Sequence, residues 1–430
     1  MDIKVKGLQK LSGEVTPSGS KNSVVALIPS TILFDKPVVL KNVPNITDVS
    51  RLVNILSKLG SKIVWDKEQN SLSIDNSELK FENLDREDLG NMKGTSLLWG
   101  PMLARFGKVN FTELPGGCTL GVRSLGPQFD AFREIGVEVN GGNHQAKMDA
   151  TGATAKEVWL AEMSPTITEN LIMFASGLKG TTKIIGAASE PQVQDLCHFL
   201  TASGAKISGV GSSVLTIEGG VYLEPKEHTL FPDHYEIATF IAMTAATGGN
   251  IKIHNSMPHL FKHINHVFSQ FGVEVNYSGD TAIFETHKEL EIAATEKNRA
   301  LQVKAQPWPS LPVDLLPVFI PLALAAKKGQ VMFHNWMYEA GLFWTSELQK
   351  IGANIIMCDP HRVLVTSGNK LYGDTLEAPY IIRAVVALVI SAMIAEGEST
   401  ILNADALYRG HPHFSDNLRR LGAKIEEING

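Results

Sequence analysis

Six times along its 430 residues the chain repeats one short pattern: an apolar or small residue, a glycine, valine or a small residue, a polar residue, then isoleucine or valine. The copies are Leu59-Gly60-Ser61-Lys62-Ile63, Ile135-Gly136-Val137-Glu138-Val139, Ser203-Gly204-Ala205-Lys206-Ile207, Phe271-Gly272-Val273-Glu274-Val275, Ile351-Gly352-Ala353-Asn354-Ile355 and Leu421-Gly422-Ala423-Lys424-Ile425. The glycines are separated by 76, 68, 68, 80 and 70 residues. In the first copy Val49, Leu52, Val53 and Leu56 line one helix face, with Thr47 or Asp48 as cap and Gly60 as the left-handed residue that ends it. Lys62 to Trp65 then reads as a strand, and Ser71 to Ile74 as its return. A second, almost wholly apolar helix opens each unit, starting near Asn22, Lys93, Ser164, Asp233, Asp314 and Ile381 and ending near Phe34, Phe106, Gly177, Ala246, Ala326 and Ala395. Helices without a polar face must be buried among others.

The sequence therefore predicts six βαβαββ-type modules in two groups of three. At about 70 residues each, they exceed the usual 20–50-residue period of a solenoid. The chain is also too long for one ordinary core. Punctuation at Gly219-Gly220, Pro225 and Pro232-Asp233, with a companion crossing at Ser18 to Lys21, divides it into residues 1–20 plus 231–430 and residues 21–230.

A net charge of −6 argues against a general nucleic-acid surface. No apolar run reaches the ~18–20 residues of a membrane span. The first residues alternate like a strand and lack a signal peptide's apolar stretch. Three cysteines (Cys118, Cys197 and Cys358) make no disulfide framework and suit a cytoplasmic protein. Of these, Cys118 stands out. It lies in Pro115-Gly116-Gly117-Cys118-Thr119-Leu120-Gly121-Val122-Arg123, a glycine-rich loop where a nearby cation would favour the thiolate. Cys197 and Cys358 sit in apolar patterns and read as structural.

Polar or charged residues begin the apolar helices: Lys21-Asn22, Lys93, Ser164, Asp233, Asp314 and Arg383. Helix N-termini attract anions, so their convergence on a cleft would suit a phosphorylated substrate; each also reads simply as a cap. Ser18-Gly19-Ser20-Lys21-Asn22 is a glycine-containing turn entering a helix, without P-loop spacing. Asp314 reads as a cap or a general base. His411 and His413 lack a third metal ligand at matching spacing and read as solvated loop residues.

In order along the whole chain, Ser18-Gly19-Ser20-Lys21-Asn22, Pro115 to Arg123, Thr168-Glu169-Asn170, Pro312-Val313-Asp314, Arg383 and Arg409-Gly410 resemble the motif set of the UDP-N-acetylglucosamine 1-carboxyvinyltransferases, relatives of the EPSP synthases. The resemblance implies two inside-out α/β domains of three modules each, closing over substrates. It implies enolpyruvyl transfer from phosphoenolpyruvate to the sugar hydroxyl of UDP-N-acetylglucosamine, without a cofactor or metal, in a monomeric cytoplasmic enzyme of cell-wall (peptidoglycan) synthesis. On it, Lys21, Arg123 and Arg409 neutralise the donor phosphate, Asn22 orients a substrate and Arg383 holds the donor carboxylate. Cys118 is the general acid and fosfomycin target, and Asp314 is the base. Lys93, Ser124, Leu125, Ser164 and Met337 fall at substrate-contacting positions.

The departures are specific. Tyr338-Glu339-Ala340-Gly341 stands where the family usually reads Phe-Glu-Asn-Arg, and no Arg or Lys lies between Gln330 and Gln349. Ile381 replaces the acid of an Asp-Leu-Arg motif, Lys93 an arginine, Glu162 a frequent basic residue and Gly126 an aspartate that contacts uracil. These bear on the acceptor more than on the reaction. Another acceptor alcohol, such as a nucleoside monophosphate or modified nucleotide sugar, and a silent nucleotide-sugar-binding paralogue are the alternatives. Joint retention of Cys118, Asp314, Lys21 and Arg123 speaks against silence.

Overall fold

The computed structural model describes residues 1–81, 93–111, 124–142, 145–295 and 299–428. They form two compact units, one of Met1–Ser18 with the residues from Pro232 onward, the other within Gly19–Phe231.

The repeat pattern becomes geometry in all six modules. Each amphipathic helix ends just before its glycine, and Gly60, Gly136, Gly204, Gly272, Gly352 and Gly422 all take positive φ, between 77° and 107°. A side chain there would be strained, so the turn into the next strand selects glycine. The apolar helices are Lys21–Ser30, Trp99–Phe106, Pro165–Gly177, His234–Thr247, Leu316–Ala325 and Ile382–Ile394. Three differ from the expected single helices. A 3-10 turn, Thr31–Leu33, ends the first; Lys93–Leu98 and Val313–Leu315 open the second and fifth as 3-10 turns.

Among the described residues, five sheets have one strand parallel to its neighbour, then antiparallel partners; the three-stranded sheet is antiparallel throughout. In the unit that opens the chain the orders are Ser12–Val15, Asn250–Ile253, Thr281–Glu285, Asn276–Ser278; then Leu301–Lys304, Gln330–His334, Arg362–Thr366, Asn354–Asp359; then Thr375–Glu377, Glu398–Leu402, Asp2–Lys6, Ile425–Ile428. The last sheet borrows the first strand of the chain as its return strand, with Val5 opposite Ile425 and Ile3 opposite Ile401. In the other unit the orders are His228–Thr229, Val38–Lys41, Ser71–Asp75, Lys62–Asp66; then Lys108–Phe111, Gln145–Asp149, Glu138–Gly142; then Glu157–Trp159, Gly180–Ile185, Val214–Gly219, Lys206–Ser208.

Strands alternate buried and exposed residues, as in Lys108–Phe111, so one sheet face meets water. The apolar helices instead pack on one another: His234–Thr247, Leu316–Ala325 and Ile382–Ile394 do so mutually in their unit. Trp99–Phe106 packs on Pro165–Gly177 in the other. Helices lie inside and sheets outside. Each fully buried Leu, Ile, Val or Phe of these helices contributes about 1.5–3 kcal/mol of transfer free energy. Asn170 links two of the helices: its Oδ1 accepts from Gly100 N at 2.7 Å and its Nδ2 donates to Ser96 O at 3.0 Å. A side chain at Gly100 would run into the Asn170 backbone, so this close approach demands glycine. No helix among the described residues is long and apolar enough to cross a membrane.

Candidate active site

In the unit within Gly19–Phe231, Ser20 caps the first helix by accepting from Ser23 N at 3.2 Å. Lys21, the first helical residue, is half-buried, and its Nζ lies 3.1 Å from Asp48 Oδ2. Asp48 was expected to cap the next helix. That helix starts at Thr47 after Ile46 without a side-chain cap, and the buried Asp48 carboxylate is directed to Lys21 instead. A buried charge needs a partner, and this one fixes the ammonium in place. Asn22 is half-buried beside it.

Ser164 is the N-cap of Pro165–Gly177, but its side chain makes no cap bond; Pro165 presets the helical turn. Ser124 is exposed, and its Oγ accepts from Gly126 N at 3.0 Å; Leu125 is the N-cap of Gly126–Glu134. Lys93 opens the 3-10 turn Lys93–Leu98. Cys118 and Arg123 lie outside the described residues.

The same unit buries two carboxyls that sequence reasoning missed. Glu169 and Glu190 are 3% and 9% exposed, and each has an oxygen with no hydrogen-bond partner among the described residues. Burial, and then its neighbour Glu190, push the Glu169 carboxyl well above the usual range. Burial pushes Glu190 up to about 7. Cys197 is buried in the next helix, and burial followed by Glu169 pushes its thiol up to about 12. It is structural, as expected. Cys358 is exposed on Asn354–Asp359, contrary to the expectation of an embedded residue, because its strand lies at the sheet edge.

The other unit assembles a buried charged cluster. Asp233 caps His234–Thr247 by accepting from Tyr235 N at 2.8 Å and Glu236 N at 3.1 Å. Arg383, in the first turn of Ile382–Ile394, is 6% exposed; its Nη2 lies 3.9 Å from Asp233 Oδ1 and its guanidinium 5.0 Å from the Tyr235 ring centre. Burial raises the Asp233 pKa, but the Arg383 charge helps outweigh it and the carboxyl ends below its ordinary value. Burial lowers His234 to about 4, against the pull of Asp233, so this imidazole is neutral near pH 7.

His411, expected in solvent, is fully buried and hydrogen-bonded through Nε2 to Arg383 Nη1. Its neighbour His413 is exposed. The pairing spans 28 residues, so no local pattern announced it. A faint signal was available in Asp233-His234-Tyr235-Glu236, which has capping-box spacing. Here Glu236 Oε2 accepts from Ser18 N at 2.6 Å, while Asp233 N donates to Ser18 O at 2.8 Å.

Asp314 is half-buried at the middle of the turn Val313–Leu315, whose N-cap is Pro312, so the capping alternative for Asp314 fails. Arg409 ends the turn Ala404–Arg409 with its guanidinium 5.0 Å from the Tyr380 ring centre. Met337 is exposed in the loop after Gln330–His334. Gly341 lies farther along that loop, and a β-carbon there would overlap the side-chain amide of buried Asn335. Within this unit, cations stand at the opening of an apolar helix and in the turn before the last helix, with a carboxylate in the turn that opens another apolar helix.

The chain is 35% identical over 424 residues to the UDP-N-acetylglucosamine 1-carboxyvinyltransferase of Borrelia garinii subsp. bavariensis, covering 99% of this chain and 98% of the relative. It is 36% identical over 438 residues to the enzyme of that name from Bacteroides thetaiotaomicron, covering 99% of each. Its fold matches the crystal structure of the enolpyruvyl transferase NikO from Streptomyces tendae with a TM-score of 0.86, at 21% identity over 99% of this chain and 98% of that one. The family model described as EPSP synthase (3-phosphoshikimate 1-carboxyvinyltransferase) matches residues 5–427. With six helix-inside modules and a match running nearly end to end, the chain belongs to the EPSP synthase family of enolpyruvyl transferases.

Proposed function

We propose that this chain transfers the enolpyruvyl group of phosphoenolpyruvate to a hydroxyl of UDP-N-acetylglucosamine, releasing inorganic phosphate. The observation that carries this reading is the full-length match, at 35–36% identity, to proteins named for that reaction.

In the proposed step, Cys118 gives a proton to the methylene carbon of phosphoenolpyruvate while the adjacent carbon becomes electrophilic. Asp314 takes the proton of the acceptor hydroxyl, whose oxygen bonds to that carbon. The tetrahedral adduct then returns a proton from the new methyl group to the Cys118 thiolate, its carbon–phosphate oxygen bond breaks, the double bond returns, and phosphate leaves with the proton that Asp314 had taken. Lys21, Arg123 and Arg409 neutralise the phosphate. Arg383 pairs the donor carboxylate, a task that suits a planar guanidinium. Asn22 orients a substrate, and Lys93, Ser124, Leu125, Ser164 and Met337 contact the acceptor. The buried Asp48 carboxylate, 3.1 Å from Lys21 Nζ, holds the half-buried ammonium in one place for its part.

A second acceptor is favoured by one set of observations. Gly126, Ile381 and Gly341 lack the polar groups that the carboxyvinyltransferases usually carry there. Loss of one charge-assisted contact at Gly341 removes about 1.5–3 kcal/mol, or about ten- to a hundredfold in donor affinity. Phosphate release from phosphoenolpyruvate with a panel of UDP-N-acetylglucosamine, other nucleotide sugars and nucleoside monophosphates tests both readings. The fastest acceptor identifies the substrate. Release with none of them rejects the transferase reading.

A further inference from the structure

We infer that His411 is a positioning residue for Arg383, orienting the guanidinium toward a substrate anion through a neutral acceptor that adds no second carboxylate beside Asp233. This rests on the reading of Arg383 as the donor-carboxylate ligand.

The chemistry of the pair fixes the tautomer. A guanidinium has only N–H donors, so Nε2 of His411, bonded to Arg383 Nη1, must supply a lone pair. The proton therefore sits on Nδ1, which faces Glu236 Oε1 at 3.7 Å. Glu236 is itself fixed, because its other oxygen accepts from Ser18 N. Between His411 and Glu236 the contact is electrostatic: at 3.7 Å neither Nδ1 nor Oε1 makes a hydrogen bond among the described residues. The groups facing this pair are Arg383 on Ile382–Ile394 and Asp233, His234 and Glu236 at the start of His234–Thr247, with Phe414 packed on the imidazole.

The choice of acceptor matters. A carboxylate at the His411 position would bond Arg383 equally well but cancel its charge. The imidazole satisfies a donor without adding a second carboxylate to Asp233, whose Oδ1 lies 3.9 Å from Arg383 Nη2. The Tyr235 ring lies against the fork, with its centre 5.0 Å from the guanidinium carbon.

Two variants and one spectrum test this. His411→Phe keeps a ring but removes the acceptor; the Michaelis constant for phosphoenolpyruvate should rise about tenfold with a smaller change in kcat, the size of one lost hydrogen bond to a charged group. His411→Gln, whose side-chain oxygen can take the Nε2 place, should recover most of the loss. Nitrogen-15 spectra of histidine-labelled wild type, assigned by loss of a signal in His411→Gln, should show His411 protonated on Nδ1 alone at neutral pH. An unchanged Michaelis constant in a folded His411→Phe protein, or an Nε2-protonated ring, overturns the inference. If wild type releases no phosphate with any acceptor, the transferase reading fails, and the spectrum still decides the tautomer and with it the pairing to Arg383.

Discussion

A β-carbon on Gly341 would overlap the amide of Asn335, whose Oδ1 accepts from Tyr338 N and whose backbone carbonyl contacts His361 Nδ1. Restoring the family arginine at this position alone is therefore not a repair. Gly341→Arg should lower the melting temperature, by a few degrees for an over-packed site of about 1–3 kcal/mol, without improving the Michaelis constant for phosphoenolpyruvate. Calorimetry and steady-state kinetics check the two halves; better donor binding at undiminished stability would refute this. The same scale separates the thiols. Cys197, with its thiol pushed up to about 12, should resist alkylation in the folded protein at neutral pH, while exposed Cys358 reacts. Fosfomycin should add to Cys118 alone, as peptide mapping would reveal; an adduct on Cys358 instead would remove the proposed acid. Lys21–Asp48 and Arg383–His411 were illegible in the sequence because each partner looked complete locally, as a cap or a loop residue. Tertiary pairing of charges carries no periodicity.

At the scale of elements much more was legible. Six helix-ending glycines and six apolar helices were read from periodicity, since burial on all sides and positive φ leave a mark on every residue involved. What escaped was the polar content of those helices. Pro165–Gly177 buries Glu169, and Glu190 precedes Pro191–Ala202 without a side-chain cap bond; both carboxyls are raised by burial. An acid whose folded pKa lies above its unfolded value binds more protons in the native state, so its contribution is present at low pH and is lost as pH rises. For Glu190 the window runs from the ordinary 4.5 to about 7. By about pH 8 its ionisation should cost about 3 kcal/mol. Glu190→Gln should therefore melt higher than wild type above neutrality and flatten the decline between about pH 5 and 8. Parallel pH–stability curves for the two proteins would show that this carboxyl is not titrating in that window.

For the whole molecule, the chain's first segment is what completes the unit built from its second half. Asp2–Lys6 and Ser12–Val15 supply strands to sheets otherwise built from residues after 249, and Ser18 accepts and donates at the opening of His234–Thr247. The residues proposed for the donor phosphate and carboxylate include Lys21, Arg383 and Arg409. The reaction assigned to them is enolpyruvyl transfer, and its most direct test is inorganic phosphate released by the wild-type chain from phosphoenolpyruvate and UDP-N-acetylglucosamine, with the product weighed by mass spectrometry. The account predicts release that requires both substrates, a raised Michaelis constant for the donor, and a product heavier than the acceptor by one carboxyvinyl group. Phosphate appearing without the acceptor, or no phosphate and no new mass with both present at saturation, would contradict it.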